Sequence, residues 1–387
     1  MRYYKRVENI KLLTLCLSEG QGGLELHVAR SIRFYQNKRI NHHVILAKDT
    51  FLSTQVSSFW EKLTLLPSPT LRAFPLVTAK KIAQLIDQQK PDILHIHWNK
   101  DLPLAVLAKM LSHHKPKLFF TRHMDIRHSK HDFYHRYFYS QIDRYLTVTK
   151  RIATEAKTLL PLSANKIQHL YLGVANAPKN PINRTEFFEK HHLNPDLFTI
   201  GVLGRIEHAK GQHLAIECLA ILHQQNYPAQ LIIAGHVMTP AYLADLIQLC
   251  QDKQLTPYVC FIDFIEEPMR MMGILDTLVL TTNQETFGLV LVEAMRCQVP
   301  VIGSNAGGVP EIITHQETGL LFSTGDSKDL ATQIKYLIDH SKEKEKLAKQ
   351  GRIKADTMFD EEQHFEKLFE LYNAALKDPH PTLSRKR

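Results

Sequence analysis

Short runs of apolar, often β-branched residues recur along the chain, each bounded by polar, Gly or Pro positions. In the first half they fall at residues 10–17, 42–47, 92–98, 117–123 and 144–149. In the second half they fall at 198–204, 229–235, 259–264, 277–282 and 299–304. Most are continuously apolar and do not alternate, which is the pattern of a strand buried on both faces. Segments of helical period lie between them, for instance 24–35, 77–88, 212–224 and 241–253. Repeated strand–helix alternation implies right-handed crossovers and a parallel sheet, so each half predicts a doubly wound α/β domain. Such sheets bind ligands beyond the carboxyl ends of their strands, and two of them facing one another would place a site in the cleft between. A last amphipathic helix is predicted over 359–377, with Asp360 as its N-cap and apolar residues at 365, 368, 369, 372 and 376.

Residues 176–196 (NAPKNPINRTEFFEKHHLNPD) hold three Pro and several Asn and break both periods, so they read as a linker. The expected division is a first domain over 1–175, a linker over 176–197 and a second domain over 198–358. The helix and a frayed basic tail follow over 359–387.

Composition changes this picture little. With 387 residues, 44% of them hydrophobic and 22% charged, the chain is an ordinary globular sequence, and collagenous, coiled-coil and disordered classes are excluded. Its five Cys (16, 218, 250, 260 and 297) are odd in number and scattered, so neither a disulfide framework nor a structural zinc site is expected. No apolar run approaches the roughly 18 residues of a membrane span. The basic N-terminus reads as the approach to a first strand and not as a secretory signal, which predicts a cytoplasmic or peripheral membrane location. Charge is more informative. Residues 1–175 carry 27 Lys and Arg against 12 Asp and Glu, whereas residues 176–387 carry 21 against 27. A basic half joined to an acidic half implies two domains facing different partners, the first meeting something anionic.

The richest stretch is ETFGLVLVEAMRCQVPVIGSNAGGVPEII, residues 285–313. Glu285 follows a predicted strand and stands where such sheets bind ligands. Gly288 makes a tight turn into a helix whose N–H groups and positive end form an anion site, and Glu293 lies about one turn along it. Two carboxylates around a helix start would grip two hydroxylated parts of one ligand while its phosphates sit on the helix end. A second constellation is GVLGRIEHAKGQHLAIE, residues 201–217, where a strand runs through Gly204 into Arg205 and Lys210-Gly211 opens a helix. A forked cation and a point cation at one turn suit a diphosphate. In the first half, the strand over 10–17 leads into Gly22-Gly23, a pair that lets backbone approach a phosphate, although the dinucleotide G-x-G-x-x-G is absent. His95 and His97 share one face of a strand and His123 ends another. They show no regular ligand spacing, so they read as a pocket lining in which His123 donates a hydrogen bond and His95 or His97 orients it; no metal is expected. The nucleophile elbow, the P-loop and the kinase motif set are absent.

Taken together, these residues resemble a retaining glycosyltransferase of the GT-B type, close to glycosyltransferase family 4, the group 1 transferases. GGLELHVARSI resembles the family's N-terminal GG-x-E segment, PDILHIHW its histidine-bearing strand and TRHMD its T-x-H element. GRIEHAKG resembles the phosphate-binding Arg and Lys-Gly motif, and ETFGLVLVEAM with GGVPEII the E-x7-E region, the most specific of the set. YLGVANAP departs from the N-G-V-D-like turn usual before the linker.

The resemblance implies a GT-B fold, α/β with two Rossmann-like domains facing across a cleft, and a nucleoside-diphosphate sugar as donor. It implies that Arg205 and Lys210 bind the diphosphate, that Glu285 binds hydroxyls of the donor sugar and that Glu293 holds the ribose. The N–H groups of Gly288 and Leu289 would meet sugar or phosphate, Gly204 would line the donor site and Glu311 would support it. Gly22 and Gly23 would close over the phosphates, and His123, with His97 behind it, would contact the sugar near the reacting carbon. The implied reaction is transfer with retention to a hydroxyl of a glycan or glycolipid in cell-surface polysaccharide synthesis, lipopolysaccharide for example, with no cofactor and no metal. The basic first half fits an anionic acceptor and an anionic membrane surface. Two other readings stand beside this one: a nucleotide-sugar 2-epimerase on the same architecture, and a non-catalytic binder of sugar nucleotides or nucleic acid. The acidic second half and the lack of interleaved aromatic and basic residues argue against nucleic acid.

Overall fold

The computed structural model describes residues 10–67, 75–265 and 267–378. The basic start over 1–9 and the basic tail over 379–387 lie outside the described residues. The chain forms two compact units: one holds the residues up to Tyr171 and those from His364 onward, the other runs from Leu172 to Gln363.

Each unit is built around one wholly parallel sheet. The first has seven strands in the order β3-β2-β1-β4-β5-β6-β7: β1 Leu12–Cys16, β2 His42–Ala47, β3 Leu63–Leu66, β4 Ile93–Ile96, β5 Lys117–Arg122, β6 Arg144–Thr147 and β7 Ile167–His169. The second has six in the order β10-β9-β8-β11-β12-β13: β8 Phe198–Leu203, β9 Ala229–Ala234, β10 Val259–Ile262, β11 Thr277–Leu280, β12 Val301–Ser304 and β13 Leu320–Phe322. Most of the apolar runs are central strands, and every residue of β1, β4, β9 and β11 is buried; the run at 259–264 is the exception, forming β10 at an edge of the second sheet, where it is only partly buried. Strands β3, β7 and β13, which the hydrophobic pattern did not announce, are three or four residues long and lie at sheet edges. An edge strand covers less of the core and so needs less apolar sequence.

In the first unit the crossovers are α1 Gly23–Asn37, α2 Phe51–Ser57, α3 Pro75–Gln89, α4 Leu102–Leu111, α5 Phe133–Ser140 and α6 Lys150–Leu159. The second unit carries α7 Arg184–Lys190, α8 Gln212–Gln224, α9 Pro240–Asp252, α10 Pro268–Met272, α11 Leu289–Arg296, α12 Val309–Ile312, α13 Ser327–Asp339 and α14 Ser341–Met358. Helix α7 corrects the reading of 176–197 as an element-free linker. Asn183 accepts hydrogen bonds from the N–H groups of Thr185 and Glu186, and Phe188 is buried, so a cap and one apolar anchor suffice to wind seven residues.

The last helix, α15 Glu361–Lys377, starts behind Asp360, whose Oδ1 accepts the Gln363 N–H at 3.0 Å. Its apolar stripe packs into the first unit's core: Phe365, Leu368, Phe369, Tyr372 and Ala375 are buried with Phe34, Tyr35, Phe119 and Leu146. The Phe34 and Phe365 rings stack 4.0 Å apart. Where the chain passes between units, its two crossing segments run side by side. The Val174 N–H donates to the Phe359 carbonyl at 2.8 Å, and the buried Arg296 guanidinium binds both Asp360 and Asn176. Among the described residues, no helix is long and apolar enough to cross a membrane.

Candidate functional site

The sequence of the second unit converges on the carboxyl ends of β8, β11 and β12. Strand β8 ends at Gly204, whose φ of +151° disfavours any side chain and whose missing Cβ would point into open space. Arg205 follows, with its Nη2 2.9 Å from Glu207. Its carbonyl accepts from the Gln212 side chain at 2.8 Å, which ties the loop to the start of α8. Lys210 lies at the end of the same loop, held by a hydrogen bond from the Thr281 hydroxyl to its carbonyl at 2.8 Å.

Beyond β11 comes Glu285. Its Oε2 lies 2.8 Å from the Lys210 Nζ, both side chains being partly buried. The Glu285 backbone is held by the glycines of the 305–308 loop. The Gly308 N–H donates to the Glu285 carbonyl at 2.8 Å, and a Cβ on Gly307 (φ +61°) would come within 2.0 Å of that same oxygen. The GGVPE segment therefore shapes the Glu285 turn, with Glu311 half-buried in α12 just after it. Gly288 caps α11 in the left-handed region at φ +97°, so Leu289 opens the helix and its first N–H groups have no intrahelical acceptor. Glu293 lies one turn further on and is buried. The fold thus joins Lys210 directly to Glu285 and sets Gly204, Arg205, Gly288 and Leu289 at the strand ends. Two buried atoms here went unnoticed in the sequence, Gln212 Oε1 and Thr282 Oγ1, neither with a hydrogen-bond partner. Their only sequence signal was position, next to Gly211 and just past β11.

In the first unit, β1 leads into the 18–22 loop. Gly22 is the N-cap of α1 and Gly23 its first residue. Glu25, the acid of GG-x-E, is buried and folds back to accept the Gly22 N–H at 2.8 Å and the Ser18 hydroxyl. Its role is to fix the loop; the capping-box spacing was its signal. Asp101, also buried and belonging to no motif of the sequence, accepts the Leu17 N–H at 3.0 Å, and burial holds its carboxyl well above the usual range.

His97 and His123 stand just past the ends of β4 and β5, with His97 Nδ1 3.1 Å from His123 Nε2. His27 from α1 and His364 from α15 complete the cluster: the His27 ring centroid is 5.2 Å from His123 and 5.5 Å from His364. His95 lies behind, between the Tyr372 hydroxyl at 2.6 Å and the Thr121 hydroxyl at 2.7 Å. All five rings are buried. Burial pushes His95 and His123 down to about 3 and His364 to about 4, and holds His27 and His97 well below their ordinary value; neighbouring rings add to this for all but His364. They are neutral imidazoles, so His123 offers a hydrogen bond and no charge. Its Nδ1 has no partner. Among the described residues, His27, His97 and His123 form the group of potential metal ligands, with nitrogens within 4.8 Å of one another. His27 and His364 carried no motif in the sequence; only packing assembles them.

The family described as glycosyl transferases group 1 matches residues 183–354, and glycosyltransferase family 4 matches residues 21–176. The chain is 31% identical over 220 residues to the capsular polysaccharide biosynthesis glycosyltransferase CapM of Staphylococcus aureus, an alignment covering 55% of this chain and 57% of that protein. It is 24% identical over 313 residues to the N-acetyl-alpha-D-glucosaminyl L-malate synthase of Bacillus anthracis, covering 79% and 80% of the two chains. Among solved structures, Anabaena Alr3699/HepE in complex with UDP and glucose superposes with a TM-score of 0.81 at 22% identity, covering 95% of this chain and all of that one. A glycosyltransferase from Rickettsia africae matches with a TM-score of 0.81 at 19% identity, over 96% and 100%. These likenesses establish the GT-B fold. With two family patterns that together span most of the sequence, the chain belongs to the group 1 glycosyltransferases of glycosyltransferase family 4.

Proposed function

We propose that the protein is a retaining, metal-independent glycosyltransferase that moves a sugar from a nucleoside-diphosphate sugar to a hydroxyl of a cell-surface glycan or glycolipid. The observation that carries this reading is the Lys210–Glu285 pair at the strand ends, flanked by Arg205 and the open N-terminus of α11. Cations and helix N–H groups suit a diphosphate, and a carboxylate beside them suits sugar hydroxyls. UDP-sugars are the first donors to test, because the HepE structures contain UDP and UDP-glucose.

In the reaction, the bond from the anomeric carbon to the diphosphate breaks and negative charge grows on the departing phosphate. Arg205, Lys210 and the α11 N–H groups stabilise that charge more strongly than the ground state. Glu285, committed to Lys210, acts as a hydroxyl acceptor and not as a nucleophile. The acceptor hydroxyl attacks from the face the diphosphate leaves and gives its proton to a phosphate oxygen, so the configuration is kept. Glu293 is assigned to the ribose and neutral His123 to the sugar's hydroxyls.

The experiment is a thermal-shift series with UDP-, GDP-, ADP- and CMP-sugars, followed by product analysis with mixed glycan acceptors. A donor at about 100 times its Kd adds about 2.7 kcal/mol to stability and raises Tm by several degrees. No shift with any donor, or an epimerised donor without acceptor, would defeat the proposal. Turnover should be unchanged in a chelator. A loss restored by added zinc would assign the reaction a metal, for which His27, His97 and His123 are the ready ligands.

A further inference from the structure

Four buried histidines of the first unit meet from four separate elements: His27 on the second turn of α1, His97 just past β4, His123 just past β5 and His364 on α15. One nitrogen from each of His27, His97 and His123 lies within 4.8 Å of the other two. His97 Nδ1 and His123 Nε2 are 3.1 Å apart, and the His27 ring centroid stands 5.2 Å from His123 and 6.1 Å from His97. Two nitrogens on a tetrahedral zinc, each about 2.0–2.1 Å from the ion, are about 3.3–3.4 Å from one another. The His97–His123 spacing therefore already suits one shared ion, and His27 closes on it with a shift of about 1 Å. A second observation comes from the space beside these rings. A small, largely enclosed cavity is lined by His27, His97 and His364 with His95, Ser31 and Tyr35, and has room for about one water. A water there is the fourth ligand that a three-histidine site leaves open. His123 Nδ1 and His364 Nε2 are buried without a hydrogen-bond partner.

The donor set selects the kind of ion. The group contains imidazoles and neither carboxylate nor thiol, which suits zinc, cobalt, nickel or copper and not magnesium or calcium, whose ligands are oxygens. Neutral rings offer their lone pairs without first losing a proton. The positive charges of Arg30 and Arg122 act on His27 and His123 and oppose a loosely held cation, so only a metal that bonds strongly to nitrogen would be retained.

We propose that His27, His97 and His123 bind one divalent transition-metal ion, zinc being the first candidate, and that the ion ties α1 to the ends of β4 and β5. The ion is structural and takes no part in the reaction. A bond from the metal to His123 Nε2 leaves the proton on Nδ1, so that ring remains a hydrogen-bond donor. The binding does not rest on the transferase reading and is measured without turnover.

The test is equilibrium dialysis of the full, untagged and chelator-stripped chain against zinc, with Tm followed in parallel. One equivalent of zinc per chain should bind and raise Tm, while magnesium does neither. X-ray absorption of the zinc-loaded wild type should show at least three imidazole nitrogens at about 2.0–2.1 Å, a readout that needs no variant. His27→Gln and His97→Gln should each weaken zinc binding by at least about 100-fold, the upper end of what losing an outer-shell partner costs. His113→Gln, which removes a fully exposed ring, should leave binding unchanged and so control for the chain's other histidines. Absence of stoichiometric zinc would overturn the proposal and assign the cavity to water. So would fewer than three imidazoles around the bound metal, or wild-type affinity in both the His27 and the His97 variants, since the ion would then sit on the surface.

Discussion

Arg205→Ala and Lys210→Ala are each expected to lower kcat by about 10²–10³ while the protein remains folded. Both side chains stand at the strand ends of the second unit, and neither is in a hydrophobic core. Their ion pairs, with Glu207 and Glu285, are partly solvated, so each pair adds at most about 1 kcal/mol to stability. Their effect on rate is larger because the charge they meet grows as the diphosphate leaves. Interactions that strengthen along the reaction lower kcat when removed and leave KM nearly unchanged. Lys210→Arg keeps the charge and should recover part of the loss, less than fully because a planar fork does not replace a point cation against Glu285. Steady-state rates with the donor found by thermal shift, and Tm for each variant, form the check. A variant with near-wild-type kcat would remove its residue from the proposed reaction, and one that lost Tm and rate together would make the residue structural.

Acidification should unfold the first unit well before the second. Six of its buried histidines (27, 42, 95, 97, 123 and 364) are held below their ordinary value, burial being the first cause in each. In an unfolded chain they titrate near about 6.5. Between the two values the unfolded state binds more protons, so the stability they contribute is complete above about pH 6.5 and falls as the pH drops. By about pH 5 each has lost on the order of 2 kcal/mol. Several together approach the roughly 5–15 kcal/mol that holds a domain folded. Asp101, whose carboxyl is raised by burial, acts in the opposite direction, one group against six. Both tryptophans, Trp60 and Trp98, lie in the first unit, so their fluorescence in a denaturant series, with chelator present, reports that unit alone. A midpoint that stays constant from about pH 7 to about pH 5 would mean that these rings are solvated or already charged. His364→Leu should flatten the slope by about 1.4 kcal/mol per pH unit.

The central strands were legible because a strand covered on both faces is buried at every position and must be almost wholly apolar, as β1 and β9 are, their one polar residue each, Thr14 and Gln230, being hydrogen-bonded to His42 and Thr199. Edge strands β3, β7 and β13 carry no such demand, and α7 depends on a single Asn cap and one buried Phe within a Pro-rich stretch. The donor-side candidates could be read because they are local: Gly204 to Lys210 and Glu285 to Glu293 each bracket one strand–helix turn. Glu25 was visible as part of a motif, but only the fold shows that it fixes the loop at Ser18 and Gly22.

By itself the sequence determined the two parallel sheets, the turns where cations and carboxylates gather, and the amphipathic stripe of α15, because periodicity and turn chemistry are set by neighbours in the chain. The tertiary structure alone decided that Lys210 meets Glu285, 75 residues away. It alone brought His27 and His364 to His123. Ion-pair partners and buried titratable clusters both depend on which distant segments pack together, and no local pattern encodes that.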